Sequence, residues 1–170
     1  MEIKFLKTHE DAVLPKSNHS DLLTGDTGYD LTSVEAVVIP AKGSSVVPIG
    51  IKVGYITPGY WFKIEGRSGL GFKHSIQPHF GIIDNPYRGD CAVKLYNLSD
   101  VDYEIKKGDR IAQMVVYQLI QPSINWIEEV EETERGEKGF GSSDTETSKE
   151  IKEGVAEEFY KGIKRGVKFY

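Results

Sequence analysis

Ser44-Ser45-Val46-Val47-Pro48-Ile49-Gly50-Ile51-Lys52-Val53-Gly54-Tyr55-Ile56, then Thr57-Pro58-Gly59, then Tyr60-Trp61-Phe62-Lys63-Ile64, is the stretch that decides the fold. Its apolar residues are mostly β-branched or aromatic, and such side chains suit a pleated, half-buried backbone better than a helix. Pro58-Gly59 is a turn signal between the two runs. Two strands joined by a turn follow.

Further along, Ala92-Val93-Lys94-Leu95-Tyr96 is another strand, closed by the turn-like Asn97-Leu98-Ser99-Asp100, and Ile111-Ala112-Gln113-Met114-Val115-Val116-Tyr117 is one more. No window before residue 145 holds a long apolar repeat of helical period, and no internal repeat of fixed length is visible. The spacing of strands and turns predicts an all-β barrel or sandwich.

The chain has 170 residues, 39% of them hydrophobic, enough for one core. No apolar run approaches the roughly 20 residues of a membrane span, and Met1-Glu2-Ile3-Lys4-Phe5-Leu6-Lys7 lacks the apolar stretch of a signal peptide. The expected location is inside the cell: cytoplasmic, or nuclear in a eukaryotic host. One cysteine, Cys91, excludes an internal disulfide and argues against a cysteine zinc site; within a strand it reads as a buried structural thiol. A net charge of −5 disfavours nonspecific binding to nucleic acid, but leaves room for a small anion held by local cations.

Beyond the strands, Ile127-Glu128-Glu129-Val130-Glu131-Glu132-Thr133-Glu134 is an acidic connector, with the simplest role of a solvated leash. It leads into Arg135-Gly136-Glu137-Lys138-Gly139-Phe140-Gly141-Ser142-Ser143-Asp144. Glycine lets backbone approach a ligand, Ser142 and Ser143 suit phosphate oxygens, Arg135 offers a bidentate clamp and Phe140 a stacking face. A flexible linker is the bland alternative. After it, Ile151, Val155, Phe159, Ile163 and Val167 recur every four residues, predicting an amphipathic helix of about 15 to 20 residues. Gly154, Gly162 and Gly166 each weaken it by about 1 kcal/mol relative to Ala, so it needs a surface: this protein, another subunit or a partner protein. The expected organisation is a β domain over 1–126, connector and arm over 127–144, and a helix-like extension over 145–170.

Four more segments combine glycine with polar groups: Thr27-Gly28-Tyr29-Asp30-Leu31, Gly66-Arg67-Ser68-Gly69-Leu70, Gly81-Ile82-Ile83-Asp84-Asn85-Pro86-Tyr87-Arg88-Gly89 and Gly108-Asp109-Arg110-Ile111-Ala112-Gln113. Taken singly, the first and last read more simply as turns. Arg67 and Ser68, beside N–H groups kept accessible by Gly66 and Gly69, suit phosphate oxygens, or form a surface turn with a solvated arginine. Asp84 follows two large apolar residues, where its carboxylate either acts as general base toward a water or caps the Asn-Pro turn. Tyr87 can stack on a sugar or simply pack.

In that order, TGYDL, GRSGL, GIIDNPYRG, GDRIAQ and RGEKGFGSS resemble the five ordered motifs of the trimeric dUTP pyrophosphatase (dUTPase) family, over about residues 1 to 144. The resemblance implies a dUTPase-like barrel or jelly-roll that hydrolyses dUTP to dUMP and pyrophosphate, limiting uracil in DNA and supplying dUMP for thymidylate synthesis. Asp84 matches the base that activates a water toward the α-phosphorus. Tyr87 resembles the residue that leaves no room for a ribose 2′-hydroxyl, discrimination by exclusion. Gly81 and Ala92 match positions whose backbone groups meet the uracil edge from a β-hairpin, and Ile82 and Ile83 beside Gly81 match substrate-binding positions; cytosine has the opposite donor pattern and would leave the backbone groups unpaired. Arg67, Ser68 and Gly69, supported by Gln113, match the phosphate group. Arg135, Phe140, Gly141, Ser142 and Ser143 match a mobile arm, Phe140 over uracil and the others toward the γ-phosphate. Asp30 resembles a supporting residue, acting through metal-bound water, or is a turn carboxylate. Mg²⁺ is implied as a bridge on the triphosphate, with no protein side chain named as its ligand. A homotrimer with shared active sites is implied too.

The sequence departs from that pattern in places. Gly66 stands where proline is usual; Pro78, His79 and Phe80 stand where smaller or amide-bearing residues are common; Asp144 replaces a glycine; and the tail after it is additional. Two other readings compete. A dCTP deaminase of the same fold would need a glutamate in the third motif, which Gly81-Ile82-Ile83-Asp84 lacks. A dUTPase-like scaffold could instead serve as a binding or regulatory protein through its 145–170 tail.

Overall fold

The computed structural model describes residues 1–133 and Gly136. Met1–Pro122 make up one folded unit, which contains every strand described, and a second unit begins at Ser123; residues 123–133 are exposed coil. The helix expected over 145–170 and the arm residues Arg135, Phe140, Gly141, Ser142 and Ser143 lie outside the described residues.

The chain runs β1 (Ile3–Lys7), β2 (Gly28–Thr32), β3 (Val37–Ile39), β4 (Ser44–Ile56), β5 (Tyr60–Glu65), α1 (Ser68–His74), β6 (Ile76–Pro78), β7 (Gly81–Ile83), β8 (Asp90–Asn97), β9 (Tyr103–Ile105) and β10 (Arg110–Gln118). The all-β expectation holds. One four-stranded sheet has the order β1-β4-β8-β6, another β2-β10-β5-β7, and β3 pairs with β9, all antiparallel. Side chains alternate across a strand, so one face of each can be buried: on β8, Cys91, Val93, Leu95 and Asn97 point inward while Asp90, Ala92 and Lys94 are exposed. Cys91, Val93 and Leu95 join Val47 and Val53 of the first sheet and Leu31, Phe62, Ile64 and Met114 of the second in one core.

β4 can be 13 residues long because it is bulged between Pro48 and Ile51. Proline cannot donate to a ladder and is tolerated at such a bulge. Gly50 there has φ +67, and an added Cβ would lie 2.7 Å from His9 Cβ and 2.9 Å from Ala12 Cβ. The Asn97-Leu98-Ser99-Asp100 turn is held from within, Asn97 Nδ2 donating to Ile39 O (3.1 Å) and Val101 O (2.8 Å) while its Oδ1 accepts from the Ser99 hydroxyl (2.7 Å).

Three local readings change. Gly28–Thr32 is strand rather than turn, because pairing with β10 and burial of Leu31 outweigh the turn preference of its glycine and aspartate. The fourth motif divides, Gly108 (φ +88) making the turn and Arg110 opening β10. The Arg67-Ser68 segment is the N-terminus of α1, which stops at Ser75 in the left-handed conformation with its N–H on Gly71 O. Two glycines in seven residues hid that helix.

Candidate active site

Two clefts of Met1–Pro122 each collect a pair of the expected site residues, Arg67 with Ser68 and Ile82 with Asp84. The first, of about 380 Å³, is floored by Glu65, Arg67, Ser68 and Gln77 and walled by Phe72 and Phe80. Ser68 and Gly69 open α1, where first-turn N–H groups have no intrahelical acceptor. An added Cβ at Gly69 would meet nothing within 4 Å among the described residues, and its φ is not positive.

Arg67 is aimed by its neighbours. Its Nε lies 2.9 Å from Asp30 Oδ1 and its Nη1 donates to Arg110 O at 2.8 Å. Asp30 Oδ2 in turn accepts from Arg110 Nη1 (3.1 Å) and Asn18 Nδ2 (3.2 Å), and its side chain is only 12% exposed. Asp30 therefore sits in a strand as the shared anchor of two arginines; it is not a turn carboxylate. Gln113, its partner in the β2–β10 register, donates from Nε2 to Gly66 O at 2.7 Å. A side chain at Gly28 would occupy the space of that glutamine amide. Three motifs, the first, second and fourth, thus converge on one backbone segment; Arg110 lies within the fourth motif, whereas Asn18 had no local signal in the sequence.

At Gly66 a Cβ would lie 3.2 Å from Gln77 Oε1 and 3.2 Å from Pro78 Cδ. Gly66 and Pro78, both departures from the family pattern, are therefore neighbours in space. Phe80 is 66% exposed with Lys63 Nζ 4.8 Å above its ring, while His79 lies against Tyr96.

The second cleft, of about 340 Å³, is lined by Trp61, Ile82, Asp84, Gln118, Leu119 and Ile120. Asp84 directly follows β7, exposed, and no side-chain bond to its carboxylate occurs among the described residues. Trp61 stacks on Tyr117, centroids 4.8 Å apart at 21°, and donates from Nε1 to Gln118 O. Asp84, Asn85, Pro86 and Tyr87 form a turn closed by Tyr87 N–H on Asp84 O at 3.0 Å. Tyr87 folds back, its hydroxyl donating to Asp90 O at 2.8 Å, and a Cβ on Gly89 would run into that ring.

Gly81, Ile82 and Ile83 pair with Ile64, Lys63 and Phe62 on β5, whereas Ala92 pairs with Pro48 on β4. β7 and β8 therefore belong to different sheets, and the expected hairpin is replaced by a loop crossing from one to the other. Within one chain the residues divide between clefts: Arg67 and Ser68 line the first, Ile82 and Asp84 the second, and Gly81, Ile83, Tyr87, Ala92 and Gln113 line neither.

The family model described as dUTPase matches residues 19–144. A deoxyuridine 5′-triphosphate nucleotidohydrolase of Oryza sativa is 44% identical over 83% of this chain and 80% of its own. Among solved structures, a mutant Staphylococcus bacteriophage 80alpha dUTPase with dUpNHpp, 29% identical, superposes with a TM-score of 0.72 over 85% of this chain and 99% of its own. A mutant dUTPase of S. aureus phage phi11, which reveals the coordination of a structural Mg(II) ion, is 26% identical with a TM-score of 0.67 over 78% of this chain and 100% of its own. Motif order, two-sheet architecture and these relatives agree that this chain belongs to the dUTPase family.

Proposed function

We propose that Asp84 is the general base with which this chain hydrolyses dUTP to dUMP and pyrophosphate. The observation that carries the reading is the placement of Asp84: an exposed carboxylate with no internal partner among the described residues, at the edge of a cleft walled by Trp61 and Ile82. In the reaction Asp84 takes a proton from water as the water oxygen bonds to the α-phosphorus, and the α–β bridging oxygen leaves with pyrophosphate. Arg67, Ser68, Gly69 and Gln113 hold the phosphates, Arg67 pre-aimed by Asp30 so that little side-chain freedom is lost on binding. Tyr87 blocks a 2′-hydroxyl, Gly81 and Ala92 meet uracil, and Ile82 and Ile83 bind substrate beside Gly81. Arg135, Phe140, Gly141, Ser142 and Ser143 complete the set as the closing arm.

Mg²⁺ fits this site as an ion delivered on the substrate. Among the described residues no three His, Cys, Asp or Glu side chains converge, and both Asp30 oxygens are committed to arginines. When bound, Mg²⁺ neutralises phosphate charge and restricts the triphosphate's conformation. The division of the site between two clefts supports a homotrimer in which each active site draws on more than one subunit.

A nucleotide panel scored for pyrophosphate tests the reading. The expected result is release from dUTP with little from dCTP, dTTP or UTP, and an Asp84→Asn variant that binds dUTP but turns over at least about 100-fold slower. Full turnover by Asp84→Asn would remove Asp84 from the chemistry.

A further inference from the structure

Asn85, next to the proposed base, makes contacts that a turn residue does not need. The turn it belongs to has the Tyr87 N–H to Asp84 O bond, and Pro86 has no N–H to add. Arg88 Nη1 donates to Asn85 O and Tyr87 O, both at 2.7 Å, which stiffens the segment without fastening it to a sheet. The fastening comes from the Asn85 amide. Its Nδ2 lies 2.9 Å from Thr57 O, 2.9 Å from Tyr60 O and 3.3 Å from Ile56 O. Two hydrogens facing three carbonyls give two full bonds and one shared contact.

The acceptors belong to the β4–β5 turn, which is itself anchored twice. Thr57 exchanges bonds with Glu2, N–H to O at 2.9 Å and Glu2 N–H to Oγ1 at 2.7 Å, and Leu119 N–H donates to Gly59 O at 2.8 Å. An asparagine that merely caps a turn bonds its own nearby backbone. This one reaches at least 25 residues back along the chain.

We propose that Asn85 is a positioning residue for dUTP hydrolysis: its amide pins the Asp84 turn to the β4–β5 turn and so fixes where the Asp84 carboxylate meets the attacking water. The inference rests on the reading of Asp84 as base. A base displaced by about 1 Å loses on the order of 100-fold in rate, while phosphate and uracil contacts made elsewhere persist. Loss of the amide should therefore appear in kcat.

The test is steady-state dUTP hydrolysis by full-chain Asn85→Ala, Asn85→Ser and Asn85→Gln, with circular dichroism and gel filtration alongside. Asn85→Ala is expected to lower kcat about 10- to 100-fold with KM within about threefold of wild type. Asn85→Gln, which keeps both donors, should recover part of kcat, and affinity for a non-hydrolysable dUTP analogue should stay unchanged. If Asn85→Ala does not fold, Asn85→Ser, retaining one donor, carries the measurement. Wild-type kcat in a folded variant, or kcat loss that merely follows the folded fraction, overturns the inference. Asp84→Asn separates the two ideas: if it is inactive while Asn85→Ala has wild-type kcat, only the role of Asn85 falls; if it keeps wild-type kcat, both fall.

Discussion

Gly89 illustrates how much a single missing methyl can hold in place. The Tyr87 ring lies where a Cβ on Gly89 would be, so Gly89→Ala must push the ring out of its bond to Asp90 O. If Tyr87 is the block against ribose, Gly89→Ala lowers kcat/KM for dUTP and narrows its preference over UTP by about tenfold or more, which competing-substrate assays would read. Cys91 gives a prediction of another kind. Burial, helped by the charge of Asp90, pushes its thiol up to about 11 from an ordinary 9.0. The folded chain then keeps a proton that the unfolded chain sheds between those values. This contribution is complete below pH 9 and is lost as pH rises toward 11. Melting curves should fall over that interval in wild type and fall less steeply in Cys91→Ala.

At the level of elements, runs of β-branched and aromatic residues between turn signals marked the strands that build the core. β4, β5, β8 and β10 could be placed from their own residues, and Leu95, fully buried on β8, anchors that pattern. Leu95→Ala should cost about 2–5 kcal/mol, measurable by chemical denaturation. What could not be read locally was decided by partners. Gly28–Thr32 became strand through β10, and Asp30 acquired its job only when Arg67 and Arg110 arrived from elsewhere in the chain. Gly66 gave no sign in the sequence that Gln77 and Pro78 would lie against it. The motifs that carry Asp84, Arg67 and Ser68 were legible because they are short and ordered, and those three residues line clefts. Asn85 was not, since its three acceptors are backbone groups that leave no mark in composition.

For the molecule as a whole, the separation of the Arg67 and Asp84 clefts makes a shared site testable without a structure of the assembly. Arg67→Ala and Asp84→Asn are each expected to be nearly inactive. If the chain forms the proposed homotrimer, the two variants co-assembled should regain a fraction of wild-type turnover, because some sites would combine an intact Arg67 from one subunit with an intact Asp84 from another. Recovery no greater than the sum of the separate variants would mean that each chain works alone. One last property follows from the stack of Trp61 on Tyr117. The chain holds two tryptophans, and Trp126 is fully exposed. In a Trp126→Phe protein all indole emission would come from the wall beside Asp84, giving an optical signal of nucleotide arrival that needs no label and can be followed through a single turnover.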